Sequence, residues 1–280
     1  MSLAVGRITY ANCAPFFHHL HDVGFRGEVI EGVPSRLNRM LAEGTIDISP
    51  SSSFEYACNW RDYLLLPGQS ISSIGPVSSV LLFSPAELFA LDGVEISITG
   101  ESATSINLLK ILLKELAGCR EVVCTKSDTC GEAIINEGAS ALLIGDRALK
   151  ASRKLPDGMK IYDLGELWYL LTGLPFVFAL WIVRRDAAAA KATDLSGFVG
   201  QLTAARQKAF ADLTQLAQVA PERSWYGEAE LLAYWRQMSY DLDTLHLEGL
   251  KLFFTLCVKH QLLTELPEIH FLNRDSEKRR

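Results

Sequence analysis

The segment Val94-Glu-Ile-Ser-Ile-Thr-Gly-Glu-Ser-Ala-Thr-Ser-Ile-Asn-Leu-Leu-Lys-Ile-Leu-Leu-Lys-Glu-Leu116 decides the fold class. Val94 to Ile98 is short and β-branched, which reads as a strand. It delivers the chain into Thr99 to Ser105, a run of small and hydroxyl residues, and a helix then continues to about Leu116. Ile106, Leu108, Leu109, Ile111, Leu112 and Leu113 make that helix apolar nearly all round, so it is buried between other elements. Further along, Val122 to Cys124, a helix from about Thr129 to Asn136, and Ala141 to Ile144 repeat the same rhythm. Upstream, Leu3 to Tyr10, Val29 to Glu31 and Ile46 to Ser49 read as strands. Between the last two, Pro34 opens a helix and Gly44 closes it. Strands alternating with helices predict an α/β fold of mostly parallel sheets flanked by helices.

Tyr63 to Leu66, Val77 to Phe83 and Phe176 to Val183 are further strand candidates, the middle one entered through the turn-rich Ser72 to Pro76. The last two bracket a compact segment, and a middle lobe inserted by two chain crossings is the simplest topology that fits. The expected division is 1–86 and 175–280 for the first lobe and 87–174 for the second. After Asp186 the pattern is helical to the end. Phe198, Leu202, Ala205, Phe210 and Leu213 share one face, Leu231, Tyr234, Trp235 and Met238 a second, and Leu247, Leu250, Phe254 and Cys257 a third. Thr172, Gly173 and Pro175 interrupt the most apolar stretch, Leu167 to Val183, which therefore reads as a buried loop and strand rather than a membrane span.

Of 280 residues, 49% are hydrophobic and 21% charged, enough for a substantial core, so disorder is expected only in Arg274 to Arg280. A net charge of −6 argues against a nucleic-acid surface, which needs a basic face. An acidic protein still holds a small anion through backbone N–H groups and helix N-termini. Met1 to Arg7 shows no secretory signal, which points to the cytoplasm. Cys13, Cys58, Cys119, Cys124, Cys130 and Cys257 form no C-x-x-C pair and read as free thiols. His18 and His19 are adjacent and diverge on a helix, so with His21 they read as solvated residues rather than a metal site. No P-loop, G-x-G-x-x-G, G-x-S-x-G or H-E-x-x-H occurs, and neither metal nor cofactor is expected.

Ligands of open α/β sheets bind beyond the carboxyl ends of the strands, here the turns at Asn12, Ser51, Thr99 and Ile144, so the site is expected in a cleft between the lobes. Asn12 suits a ligand carboxylate or hydroxyl, or an Asx-turn stabilising its own loop. Ser51, Ser52 and Ser53 fit an anion cradle or plain N-capping of the helix Phe54 to Asn59. Ser102, Thr104 and Ser105 repeat that choice at the start of the buried helix, with Gly100 allowing close approach. Ser78 and Ser79 face opposite ways along a strand, so at most one points into the cleft. Asp146 fits a ligand hydroxyl or the N-cap of the helix after it.

Several stretches together resemble one family. They are Ile8-Thr-Tyr-Ala-Asn-Cys-Ala-Pro15, Gly75-Pro-Val-Ser-Ser79, Ser102-Ala-Thr-Ser105, Ile144-Gly-Asp146 and Thr172-Gly-Leu-Pro-Phe-Val-Phe-Ala-Leu-Trp181. In this order they resemble the chorismate dehydratases of the futalosine route to menaquinone; the C-terminal helices match in pattern more than in motif. Ala14 departs from the larger apolar residue usual there. The resemblance implies a type II periplasmic-binding-protein-like fold used as a cofactor-free hydro-lyase. Its reaction would convert chorismate to 3-[(1-carboxyvinyl)oxy]benzoate and water. It implies that Asn12 and Ser79 engage the substrate and that the turn Ser102 to Ser105 holds a carboxylate. The competing readings are a non-catalytic solute-binding protein or sensor and the related naphthoate-forming synthase. The latter is expected to use a middle-lobe histidine, and this middle lobe has none.

Overall fold

In the computed structural model, residues 2–98, 102–127 and 131–272 are described. The expectations for Thr99, Gly100, the helix start at Thr129, Cys130 and the tail from Arg274 fall outside them. The chain opens with β1 (Ala4–Ile8), a single 3-10 turn over Ala11–Cys13, and α1 (Ala14–Phe17). It continues through β2 (Glu28–Gly32), α2 (Pro34–Ala42), β3 (Ile48–Ser52), α3 (Ser53–Asn59) and the long β4 (Tyr63–Ser73). The serine run thus ends a strand, and the Ser52 hydroxyl caps α3 by accepting the Glu55 N–H at 3.1 Å.

Next come β5 (Val80–Ser84), β6 (Glu95–Ile98), α4 (Ala103–Glu115), β7 (Val123–Lys126) and α5 (Gly131–Asn136). β8 (Ser140–Ile144), α6 (Gly145–Ala151), β9 (Lys160–Asp163) and α7 (Leu164–Thr172) complete this part. The chain then returns through β10 (Phe176–Arg184). The helices α8 (Arg185–Ala190), α9 (Ala192–Ala211), α10 (Leu213–Val219), α11 (Glu228–Gln237) and α12 (Thr244–Lys259) follow. Between the last two lies the two-residue β11 (Met238–Ser239).

The strands form two sheets, ordered β11-β4-β10-β3-β1-β2 and β7-β6-β8-β5-β9. Both are mixed rather than mostly parallel. β1, β2 and β3 pair in parallel, as do β6, β7 and β8, but β10 is antiparallel to β3 and β4, and β5 to β8 and β9. The reason is topological. β5 and β10 are the strands by which the chain crosses between lobes, so each enters its sheet from the cleft side while its neighbours end there. The apolar run Val80–Ser84 belongs to the second sheet. This moves the first crossing from the expected residue 86 to residues 74–79; the return crossing is 173–175.

The interior explains why these segments hold. Eight of the nine residues of β10 are buried, because helices cover both faces of the sheet. Trp181 is fully buried, and Phe16 meets it edge-on at 5.3 Å while Phe198 lies 5.7 Å away. Truncating so large a core aromatic costs about 3–5 kcal/mol. Leu164–Thr172, expected to be loop in its second half, is a helix ended by Gly173 in the left-handed conformation at φ 70°. Among the histidines expected to be solvated, His19 is buried with Nδ1 2.7 Å from the Asp22 carboxylate. Among the described residues, no helix is long and apolar enough to cross a membrane, and no cluster of His, Cys, Asp or Glu could hold a metal ion. The described cysteines are free thiols.

Candidate functional site

The carboxyl ends of β1, β3 and β4 face those of β6 and β8, and a narrow cleft lies between them. Its polar wall is Tyr10, Asn12, Ser52, Ser79, Ser102 and Ser105, and its apolar wall includes Ile8, Ile71, Val77, Ile144 and Phe178. None of these residues is charged. The structure therefore brings Asn12, Ser52, Ser79, Ser102 and Ser105 together from separate turns of the chain. Ser51, Thr104 and Asp146 stand one layer back. Alternation along β3 turns Ser51 away from the face Ser52 occupies, and its buried hydroxyl has no partner. Thr104 spends its hydroxyl across the lobes, accepting the Phe54 N–H at 3.0 Å and lying 3.3 Å from the Ser53 hydroxyl.

Asp146 reaches across the lobes as well, its Oδ1 accepting the Ala11 N–H at 2.9 Å, beside Asn12. Burial pushes its carboxyl up to about 6, helped by the charge of Glu222, while the Ala11 bond and Lys150 pull the other way. The residue before it, Gly145, donates its N–H to the Ser79 carbonyl at 2.7 Å. Gly145 has φ 59°, and a Cβ there would lie 2.7 Å from the Tyr10 ring, so both conformation and contact require glycine.

Three hydroxyls on the cleft wall, those of Ser52, Ser79 and Ser102, are engaged as acceptors. Ser52 Oγ accepts from Glu55, and Ser102 Oγ accepts both the N–H and the hydroxyl of Ser105, at 3.3 and 3.2 Å. Ser79 Oγ accepts the Tyr234 hydroxyl at 2.8 Å. A hydroxyl whose oxygen is already engaged as an acceptor has its hydrogen left to give. Ser79 donates that hydrogen to the Val77 carbonyl at a long 3.3 Å, a bond that a better acceptor in the cleft displaces. Ser102 and Ser105 place the N-terminus of α4 at the cleft, and the axis dipole there favours a negative group. The exception is the Asn12 Oδ1, a buried acceptor without a hydrogen-bond partner. Leaving it so costs about 1–3 kcal/mol, and a hydroxyl on a bound molecule would relieve it. This chemistry fits a small molecule carrying both carboxylate and hydroxyl groups.

Two supporting features escaped the sequence reading. Asp163 accepts the N–H groups of Val77, Ser78, Gly165 and Glu166, so a single carboxylate caps α7 and fixes the crossing turn in front of Ser79. That turn holds Ser78 at φ 59°, a strained value for a residue with a side chain. Asp163-Leu-Gly-Glu166 is a capping-box spacing and was a readable signal. Tyr234 and its neighbour Trp235, which donates to the Ala11 carbonyl at 2.8 Å, carry no local signature.

Two mixed sheets, two chain crossings and a hydroxyl-lined cleft at the sheet ends define a two-lobed fold of the periplasmic-binding-protein-like class. SsuA of Xanthomonas axonopodis pv. citri, an alkanesulfonate-binding protein solved bound to MOPS, has a TM-score of 0.71 at 17% identity, covering 95% of this chain and 96% of its own. The aliphatic sulphonate-binding protein SsuA of Escherichia coli gives 0.69 at 13% identity, covering 95% and 90%. At such identities the likeness is one of fold. Sequence goes further, since the model of a family described as menaquinone biosynthesis matches residues 3–259. A chorismate dehydratase of Thermus thermophilus is 36% identical over 264 residues, 89% of this chain and 93% of that protein. The chain belongs to the menaquinone-biosynthesis family.

Proposed function

We propose that this chain is a cytoplasmic, cofactor-free chorismate dehydratase that forms 3-[(1-carboxyvinyl)oxy]benzoate and water in the interlobe cleft. The observation that carries the reading is the unpartnered buried Oδ1 of Asn12 beside hydroxyl donors from both lobes. Chorismate supplies the matching groups, a ring hydroxyl to donate and two carboxylates to accept. The Thermus relative named chorismate dehydratase supports the same substrate.

The reaction removes the hydrogen at ring C3 and the hydroxyl at C4. The C3–H electron pair becomes a ring double bond as the C4–O bond breaks, and the departing oxygen leaves as water. Aromatisation supplies the driving force, so the protein's task is to orient the substrate and stabilise the charge that develops. Asn12 and Ser79 are the groups proposed to engage the reacting hydroxyl, with Ser102 and Ser105 on a carboxylate and Ser52 on the opposite wall. No residue of the cleft wall is a base, and Asp146 behind it has one oxygen committed to Ala11. A carboxylate of the substrate itself therefore takes the C3 proton in this scheme and passes it to the departing C4 oxygen, which leaves as water and returns the carboxylate to its charged form.

Purified protein mixed with chorismate tests the proposal. An enzyme yields a product lighter than chorismate by one water, at many turnovers per protein. A rise in melting temperature without product would instead mark a solute-binding protein or sensor.

A further inference from the structure

The C-terminal segment contributes more to the cleft than a covering layer. Four side-chain bonds run from α11 to the two turns that present Asn12 and Ser79. Gln237 donates to the Pro76 carbonyl at 2.8 Å and accepts from the Ser78 hydroxyl at 3.2 Å. Trp235 donates to the Ala11 carbonyl, and Tyr234 donates to Ser79 Oγ, each at 2.8 Å. β11, which directly follows α11, pairs with Ser72 and Ser73 at the end of β4, anchoring the helix to the first sheet.

We propose that Tyr234 is a positioning residue that fixes the Ser79 hydroxyl as a hydrogen-bond donor into the cleft. The inference rests on the dehydratase reading, in which Ser79 engages the substrate. Tyr234 is 2% exposed and its hydroxyl lies on Ser79 Oγ, 155 positions away in sequence. Burial holds the phenol neutral far beyond its usual range, so its one hydrogen is always present for that bond. With its oxygen occupied, Ser79 can turn its own hydrogen only toward the long Val77 contact or toward the cleft. An unconstrained serine would rotate freely and spend part of its time offering an oxygen lone pair to an anion, which repels it. Tyr234 removes the rotamer that would spend the hydrogen on the phenol, so that only the long Val77 bond competes with a substrate acceptor for it.

Tyr234→Phe keeps the ring and deletes the hydroxyl. The expected result is a fall in kcat of about tenfold to a hundredfold with KM within about threefold, because a donor aimed at developing charge acts mainly in the transition state. In a Ser79→Ala background the same change should cost less than about twofold, since Tyr234 acts through Ser79. A Tyr234→Phe enzyme with parental kcat overturns the proposal, and so does an equal loss in both backgrounds, which marks a general structural role. Should the Phe variant not fold, unmutated protein labelled at tyrosine Cζ gives the answer by NMR. The Tyr234 hydroxyl should exchange slowly with solvent and faster in Ser79→Ala, and equal exchange in both overturns the bond. Parental protein is assayed alongside. No turnover of chorismate by it overturns the dehydratase reading and this proposal with it, whereas normal turnover with an unaffected Tyr234→Phe overturns this proposal alone.

Discussion

Asp146→Asn tests the electrostatics of the layer behind the cleft wall. In the folded protein the Asp146 carboxyl is pushed up to about 6 from 3.8, chiefly by burial. The native state therefore binds this proton more tightly than the unfolded chain does. Its contribution to stability is fully present below about pH 4 and is lost as the pH rises through about 6. Two units at about 1.36 kcal/mol each set an upper limit of roughly 3 kcal/mol for the cost at pH 8. Because the group is only half-buried, about 2 kcal/mol is the working figure. Asparagine retains an oxygen for the Ala11 N–H, 2.9 Å away, and removes both the buried charge and its repulsion from Glu222. The assay is urea unfolding of parent and variant at pH 5, 6.5 and 8. The variant should be the more stable at pH 8, and its advantage should shrink by about 1 kcal/mol on going to pH 5. Taking the difference cancels carboxylates such as Asp22 and Glu115, whose lowered values shape both curves alike. A variant less stable than the parent at pH 8, or a gap that ignores pH, would refute the reasoning.

Two further positions address the cleft itself. Asn12→Ala should lower turnover on the order of a hundredfold without lowering the melting temperature, because the Oδ1 it removes is buried and makes no bond within the protein. Asn12→Asp should weaken binding by placing a charge against the anion, and parental kinetics in both variants would make Asn12 a mere turn residue. Gly145→Ala must move the Tyr10 ring and carry a side chain at φ 59°, so both melting temperature and turnover should fall, and parental values for both would show the turn to be unconstrained.

The α/β class and the turns of the cleft were legible in the sequence because both are local. Pro34, Gly44 and the serine runs mark element ends wherever the rest of the chain goes. Strand direction was not legible. The run Val80 to Phe83 and the strand Phe176 to Val183 are apolar because they are buried on both faces, and burial looks the same whether a neighbour is parallel or antiparallel. The same ambiguity hid which sheet takes Val80–Ser84, and with it the position of the first crossing. Ser102 and Thr104 read alike in sequence, yet one faces the cleft and the other ties α4 to α3, because positions two apart at a helix start point to different surfaces. Tyr234 read as an ordinary core position on a helix face. Its partner Ser79 is set by tertiary packing alone, and no local pattern encodes that.

Whether the hydroxyl-lined cleft removes water from chorismate is measured directly by proton NMR of chorismate during incubation with purified protein. The ring C3 and C4 proton signals should disappear together, replaced by the aromatic protons of a meta-substituted benzoate with its enol-ether methylene retained. Chorismate whose C4 carbinol proton signal persists, or that loses the enol-ether group instead, would contradict a dehydratase.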